Sequence, residues 1–227
     1  MKLHLTAVFI FISFSLLGQG TAKLWTSNPQ PRVNERITVS MYSHSNLIND
    51  LLQKELNKSE ITIYDSTGTN YRNYVSFQQP GNYEIGPFSY NLNSKKYTTD
   101  ALNVEVIPAL PSGKGIILRK AEINNTIFLY IEYYEETKES DKKPDAKKSK
   151  GWDSLVKLSD EYEDTFFSAV TKRLGTLKNQ KGKESHTKRI VYKLKKQHPE
   201  QDKITIDRAA LKNVPEGIEV KPLTIQL

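Results

Sequence analysis

The sequence predicts a mainly β protein: an immunoglobulin-like β-sandwich followed by a second β-rich domain that contains one helical segment. Three observations lead to this prediction. Apolar and polar residues alternate with a period of two in several short segments, as they do on half-buried strands. Gly, Pro and Asn residues separate these segments. Aromatic residues make up 10% of the 227-residue chain and include twelve tyrosines, which suits strands with aromatic faces.

Residues 1–22 have the pattern of a secretory signal peptide. Lys2 precedes an apolar run, and a group of small residues follows it. The alternative, an N-terminal membrane anchor, would need a longer run to cross a bilayer core of about 30 Å. We expect cleavage after Gly20 or Ala22 and exclude 1–22 from the fold. The pattern predicts an exported protein, periplasmic or associated with the cell envelope.

Residues 23–109 are predicted to form the immunoglobulin-like β-sandwich. In the first long strand, Ile37, Val39 and Met41 share one face and polar residues share the other. Several short strands at this spacing are typical of such a sandwich. The predicted strands are 33–42, 60–65, 71–77 and the two strands of a hairpin within 81–106.

The hairpin is predicted to close the first domain. Pro87 has no N–H to donate to a strand ladder, so Gly86-Pro87 should form a bulge or an edge-strand bend. Residues 91–96 are predicted to be the polar tip. Val104 and Val106 alternate with polar residues, which predicts the inward face of the returning strand.

The second domain is predicted to begin with a linker and one strand within 110–137. That strand, 123–136, carries apolar or aromatic residues on both faces, which predicts a central strand covered on each side. Residues 138–151 are highly charged and contain a proline, which predicts a disordered loop. The remainder of this α+β domain is assigned to 152–227.

The helical segment of the second domain is predicted from an apolar stripe that begins at Trp152. Its steps of three and four residues fit one face of a helix. Asp160-x-x-Glu163 resembles a capping box, at which the helix could restart. The residues of the stripe are Leu155, Leu158, Tyr162, Phe166, Ala169 or Val170, Leu174 and Leu177. The strands predicted after the helix are 188–196, 203–207 and 217–227.

No catalytic, metal-binding or cofactor-binding residue is predicted. The chain has no cysteine, which excludes disulfides, thiol catalysis and zinc–thiolate sites. Outside the predicted signal peptide, His44, His186 and His198 lack the spacing of a metal site. The carboxylates clustered in 160–164 are interpreted as the acidic first turn of a helix rather than a catalytic pair. Nucleotide-binding and serine-hydrolase motifs are also missing from the sequence.

Positive charge is concentrated in one late segment. The chain has a net charge of +7, and residues 172–203 contain 11 basic and 3 acidic side chains, a net charge of +8. Arg189, Lys193 and Lys195 are predicted to share one face of the strand 188–196, where they could bind a partner. Other envelope proteins or an anionic membrane surface are the expected partners, and nucleic acid is not expected for an exported protein. The alternative is an edge strand whose lysines prevent aggregation.

The segment "PGNYEIGPFSYNLNSKKYTTDALNVEVIPALPSG" carries a resemblance to a known family. The shared pattern is a Gly-x-Tyr-x-Ile-Gly-Pro strand, a polar Lys-Tyr-Thr-Thr tip and a strand that leads into a Pro-rich linker. It resembles the end of the first β-domain of the BatD family, the bacterial oxygen-tolerance (aerotolerance) proteins. The residues that carry the pattern are Gly81, Tyr83, Ile85, Gly86, Pro87, Lys96, Tyr97, Thr98 and Thr99.

The resemblance implies a non-enzymatic protein of the cell envelope that acts through protein–protein interaction in oxygen tolerance or envelope stress. It implies no catalytic residues, because the family has none to transfer. A different class remains open: a secreted carbohydrate-binding module or an accessory protein of a carbohydrate-active enzyme. Exposed aromatic rings could stack on sugars in such a module. The candidates are Trp25, Tyr71, Tyr97 and Trp152.

Overall fold

A computed structural model describes residues 19–41, 61–64, 73–92, 94–123, 126–137, 155–195 and 202–227 of the chain. The chain divides into two compact units between Pro108 and Ala109. The described residues are mostly β-strand, which confirms the mainly β fold class. Among the helices of these residues, none is both long enough and apolar enough to cross a membrane.

The first unit consists of short strands that form three small sheets. One sheet has the order β2-β3-β5-β4, a second has the order β1-β8-β7, and β6 pairs with β9. The strands are β1 (Gln19–Ala22), β2 (Leu24–Thr26), β3 (Ile37–Met41), β4 (Ile61–Tyr64), β5 (Asn73–Phe77), β6 (Gly81–Ile85), β7 (Ser89–Leu92), β8 (Lys95–Thr99) and β9 (Leu102–Val106).

The core of the first unit follows the alternation in the sequence. Ile37 and Val39 are buried on β3, and Val104 and Val106 are buried on β9, while their strand neighbours are more exposed. Phe77 on β5 is buried in the same cluster. These residues confirm the predicted inward faces, because a period of two places every second side chain on the buried side of a strand.

The closing hairpin changes sheet halfway along its length. Its outer half pairs β7 with β8, and its inner half pairs β6 with β9. Gly86-Pro87 lies between the two halves, where the backbone of Gly86 has a φ of +83°. Opposite it, the Thr99 hydroxyl oxygen accepts a hydrogen bond from the Phe88 N–H at 2.8 Å. The predicted break is therefore confirmed, but the predicted tip was too long, since only 93–94 separate β7 from β8.

The strand β1 corrects the exclusion of residues 1–22 from the fold. It pairs in parallel with β8, from Gln19 opposite Lys96 to Ala22 opposite Thr99. Ala22 is buried in the core of the first unit, and its carbonyl accepts a hydrogen bond from the Asp100 N–H. The small residues that resembled a cleavage region thus belong to a sheet. The rest of the predicted signal peptide, 1–18, lies outside the described residues.

The second unit is built on a sheet with the strand order β10-β11-β14-β13. Two short strand pairs, β12-β16 and β15-β17, accompany this sheet. The elements are β10 (Lys114–Ile123), β11 (Thr126–Glu136), β12 (Lys157–Leu158), α1 (Asp160–Phe166), β13 (Phe167–Lys178), β14 (Glu184–Leu194), β15 (Lys203–Ile206), β16 (Leu211–Lys212) and β17 (Leu223–Gln226).

One face of this sheet carries the main core of the second unit. Leu129, Ile131 and Tyr192 are buried there together with Ile206 and Ile225 from the short strands. The other face of β11 buries Tyr130 in a smaller apolar cluster. Because β11 has strand neighbours on both sides and buried residues on both faces, it is the central strand that the sequence predicted.

Three predictions for the second unit were wrong. The sequence predicts a linker over 108–115 and no strand before 123, but β10, a ten-residue strand that pairs with β11, begins at Lys114. The helix covers only Asp160–Phe166; in the predicted stripe, Leu158 lies in β12 and the residues after Phe166 lie in β13. The capping box is also absent, since the N-cap is Ser159 and its side chain makes no capping hydrogen bond. The predicted loop 138–151 lies outside the described residues.

The strand β13 contains a β-bulge, and its apolar residues are spaced as in a helix. The pairing register with β14 shifts between Ala169 and Thr171, which leaves Val170 as the extra residue. Phe166, Val170 and Leu174 are four residues apart, a spacing that fits one face of a helix and, as a multiple of two, also one face of a strand. Pairing with β14 determines the structure here rather than local propensity.

Candidate interaction surface

The predicted partner-binding residue Arg189 is buried at the centre of an ionic cluster. The side chains of Arg189 and Glu132 are 7% and 3% exposed, and the Arg189 Nε donates to Glu132 Oε1 at 2.5 Å. The Arg119 Nε donates to the other carboxylate oxygen, Oε2, at 3.3 Å. The Arg119 guanidinium also lies 3.6 Å from the centre of the Tyr130 ring. We call Arg119, Glu132 and Arg189 the buried ion cluster.

The strand order of this sheet overturns one interpretation of the sequence. The strand β14 lies between β11 and β13, so it is not a lysine-protected edge strand. Glu132 is buried on β11, where it neutralises part of the charge of two arginines. A carboxylate held between two guanidinium groups inside a sheet has a structural role, since both charges would be costly to bury alone.

The three predicted partner-binding residues do not form one exposed patch. Lys193 is exposed and lies on the same face of β14 as Arg189, as the alternation predicted. Lys195 lies beyond the end of β14, where its Nζ donates to the carbonyl oxygens of Glu163 and Asp164 near the end of α1. Of the three residues, one is buried, one is exposed and one contacts the helix backbone.

The exposed surface of this sheet lies instead on β13. Within the part of the chain that the structure describes, no strand pairs with the outer edge of β13. The side chains after Phe167 are exposed along nearly the whole twelve-residue strand. Val170 and Leu174 are 56% and 53% exposed, large values for apolar side chains. Sequence reasoning missed this surface because it assigned the segment to a helix.

The backbone of β13 directs hydrogen-bonding groups outward at this edge. The Asn179 N–H donates to the Lys183 carbonyl, so the next pair, Lys178 and Glu184, is a non-hydrogen-bonded pair. In an antiparallel ladder such pairs alternate with hydrogen-bonded ones. The ladder has no shift between Thr171 and Lys178. The N–H and C=O groups of the strand residues at even numbers from 172 to 178 therefore point away from β14.

A polar cluster fixes the turn between β13 and β14. The Asn179 Oδ1 accepts hydrogen bonds from the N–H groups of Lys181 and Lys183, both at 3.0 Å. The Asn179 Nδ2 donates to one carboxylate oxygen of Glu136. The second carboxylate oxygen of Glu136 is 2.9 Å from the Lys183 Nζ. Hydrogen bonds from Lys183 and from the Gly113 N–H hold the pKa of Glu136 below its ordinary value. The end of the exposed strand is thus anchored to β11.

Two of the four predicted sugar-stacking residues, Trp25 and Tyr97, lie in the described part of the chain. Trp25 is 44% exposed on β2, an outer strand of its sheet. Tyr97 is half-buried and stacks on Tyr90, with ring centres 5.4 Å apart. Burial raises the pKa of Tyr90, and the neighbouring Tyr97 raises it further. Tyr71 and Trp152 lie outside the described residues.

The described residues contain no group of three or more His, Asp or Glu side chains placed to hold a metal ion. In the acidic cluster of α1, the Asp160 carboxylate accepts a hydrogen bond from the Lys212 Nζ. This contact lowers the pKa of Asp160. His186 is exposed on β14, whereas His44 and His198 lie outside the described residues.

Comparisons with known proteins leave the family open. No family model matches the sequence, and no curated protein matches it. Among solved structures, a marsupial T cell receptor is similar at 9% sequence identity with a TM-score of 0.20. The match covers 91% of this chain and 61% of the receptor chain. At this TM-score the match carries no argument, and the resemblance to the oxygen-tolerance family stays a prediction.

Proposed function

We propose that this chain is an exported, non-enzymatic protein of the cell envelope that binds another protein through the outer edge of β13. The proposed export is supported by the leader-like pattern at the N-terminus. A role in oxygen tolerance or envelope stress is supported by the sequence pattern in the closing hairpin of the first unit. The mode of binding is supported by the geometry of the second unit.

One observation carries the proposal: β13 is a long, solvent-exposed edge strand with exposed apolar side chains. Proteins protect such an edge with charged side chains, bulges or short strands, and β13 has three basic residues and a bulge but is long and still exposes two large apolar side chains. A partner strand added to the edge would satisfy its outward N–H and C=O groups and cover Val170 and Leu174. The opposite side of β13 is held by a ladder to β14 that has no shift from Thr171 to Lys178, so this part of the edge is preformed.

Proline at Thr176 tests this mode of binding. The N–H of Thr176 points away from β14, so Thr176→Pro removes one outward donor and keeps the internal ladder. Thr176→Val is the matched control, because it also removes the hydroxyl group but keeps the N–H. The partner is captured from the organism's own envelope extract on each variant, and thermal unfolding checks that the fold is retained.

We expect the wild type and Thr176→Val to retain the same captured protein and Thr176→Pro to lose it. Equal capture by all three folded proteins would overturn binding through this edge. Failure of the wild type to retain any protein would overturn the proposed interaction function itself.

A second function is favoured by the exposed indole of Trp25, which could stack on a sugar ring. In this case the chain would be a secreted carbohydrate-binding module or an accessory protein of a carbohydrate-active enzyme. Affinity electrophoresis in gels that contain cell-wall polysaccharide tests it. Retardation of the wild type, lost in Trp25→Ala, would support the module, and equal mobility with and without polysaccharide would exclude it.

A further inference from the structure

We infer that the outer edge of β13 accepts an acidic, extended segment of the partner protein. This inference rests on the proposed function and adds the chemistry of the partner to it. Within Phe167–Lys178 there are three basic residues, Lys172, Arg173 and Lys178, and no acidic residue. The segment that pairs with this strand should therefore carry carboxylates at matching positions, because complementary charge fixes the register of an interface and suppresses wrong partners.

The pairing register with β14 defines the two faces of this edge. Lys172 lies opposite Ile190, and Leu174 lies opposite Lys188. Since residues two apart share a face, Lys172, Leu174 and Lys178 lie on one face of β13. Arg173 lies opposite Arg189 and is exposed on the other face. On the first face, a partner strand would contact Lys172, Leu174 and Lys178. On the second face it would contact Arg173.

The distribution of charge favours a protein strand over a membrane surface. A flat layer of lipid head groups would contact one face of β13, whereas the cations lie on both faces. The outward N–H and C=O groups also alternate with inward ones along the strand, an arrangement that a partner strand completes and a lipid layer does not.

The same charges argue against pairing between two copies of this chain. An antiparallel pair of β13 strands would bring the lysines and the arginine of each copy close to those of the other. Like charges directly opposite each other destabilise a strand pair. A carboxylate-bearing strand removes this repulsion and leaves the apolar contact with Leu174 intact.

The order of side chains along β13 specifies a peptide that can be used to probe this edge. In an antiparallel pair, the peptide Glu-Val-Thr-Thr-Val-Glu-Glu places a glutamate opposite Lys178, a valine opposite Leu174 and glutamates opposite Arg173 and Lys172. The reversed sequence serves for parallel pairing. A control peptide with lysine in place of each glutamate keeps the strand propensity and reverses the charge. Binding of labelled peptides to the full chain is measured by fluorescence anisotropy.

We expect one of the two acidic peptides to bind and the lysine peptide not to bind. Lys172→Glu/Lys178→Glu should weaken the binding about tenfold or more, because two attractive pairs become repulsive. Thr176→Pro should also weaken it, whereas Thr176→Val should not. The matched charge control is Lys181→Glu/Lys221→Glu, which makes the same change in net charge at exposed positions outside β13. This control should leave the affinity for the acidic peptide within about twofold of the wild type.

Three results would overturn the inference. Equal binding of acidic and basic peptides would exclude a charge-selective edge. A concentration-dependent dimer that Thr176→Pro abolishes would identify a second copy as the occupant. Binding to vesicles of anionic phospholipid that is lost in Lys172→Glu/Lys178→Glu but kept in Thr176→Pro would identify a membrane surface.

The partner capture separates this inference from the proposed function. If capture depends on the Thr176 N–H but is unchanged in Lys172→Glu/Lys178→Glu, the acidic chemistry is wrong and strand addition stands. If the wild type captures no protein and binds no acidic peptide, both are wrong.

Discussion

Replacement of Glu132 by glutamine should strongly destabilise the second unit. The carboxylate contacts Arg189 at 2.5 Å and Arg119 at 3.3 Å, and the side chains of these arginines are 7% and 12% exposed. Glu132→Gln keeps the shape of the side chain but removes the carboxylate charge that faces both arginines. Breaking one buried ion pair in this way costs about 3–5 kcal/mol. We take this range for the whole cluster, since Arg119 keeps its contact with the Tyr130 ring.

Thermal unfolding followed by circular dichroism measures this effect. For a unit of this size, a loss of about 3–5 kcal/mol corresponds to a fall in Tm of about 12–20 °C. Glu135→Gln is the matched control, because Glu135 lies on the same strand but is exposed. The control should lose less than about 1 kcal/mol. If Glu132→Gln unfolds within about 2 °C of the control, the buried ion cluster does not stabilise the sheet and the reasoning fails.

Three further predictions concern backbone packing, pH and the N-terminal strand. Gly115→Ala should cost about 1–3 kcal/mol in urea unfolding, since an added Cβ would lie 2.6 Å from the Tyr134 hydroxyl oxygen. The stability of the fold should fall as the pH drops through the lowered pKa of Glu136, because contacts with Lys183 and neighbouring groups favour the ionised carboxylate. Glu136→Gln should make the stability less dependent on pH in this range. Deletion of Gln19–Ala22 should destabilise the first unit, and the exported mature chain should keep these residues.

Each of these predictions has a control and a contrary result. Gly175→Ala introduces a Cβ with only ordinary contacts, so equal losses at both glycines would refute the packing argument at Gly115. Glu184→Gln removes a carboxylate at an exposed position of the same sheet, and an identical pH profile in both variants would refute the role of Glu136. A mature N-terminus at Lys23, found by mass spectrometry, would show that β1 is removed with the leader.

The sequence predicts strands well where burial alternates along a locally regular backbone. Ile37 and Val39, or Val104 and Val106, identify their strands because each strand has one buried face. The prediction fails where pairing outweighs the local pattern. In β13 the apolar residues are four apart, which fits a helix as well as a strand, and the exposed edge strand has no buried face whose alternation could distinguish the two.

The candidate site depends on contacts that no short segment contains. Alternation correctly places Arg189 and Lys193 on one face, but it does not show that the Arg189 side chain is buried. Its carboxylate partner, Glu132, is 57 residues away in the chain. The outward direction of the Thr176 N–H depends on the pairing with β14 and on the Asn179 turn. A pattern of charges therefore predicts which side chains share a face, while the tertiary pairing decides which of them solvent can reach.

Amide hydrogen exchange along β13, followed by NMR with and without the acidic peptide, tests the central claim most directly. In the free protein we predict fast exchange at Lys172, Leu174 and Thr176 and slower exchange at Arg173 and Gly175, which alternate with them in the ladder. Addition of the peptide should selectively slow exchange at the first three. Unchanged exchange at these three amides in the presence of saturating peptide would contradict strand addition at this edge.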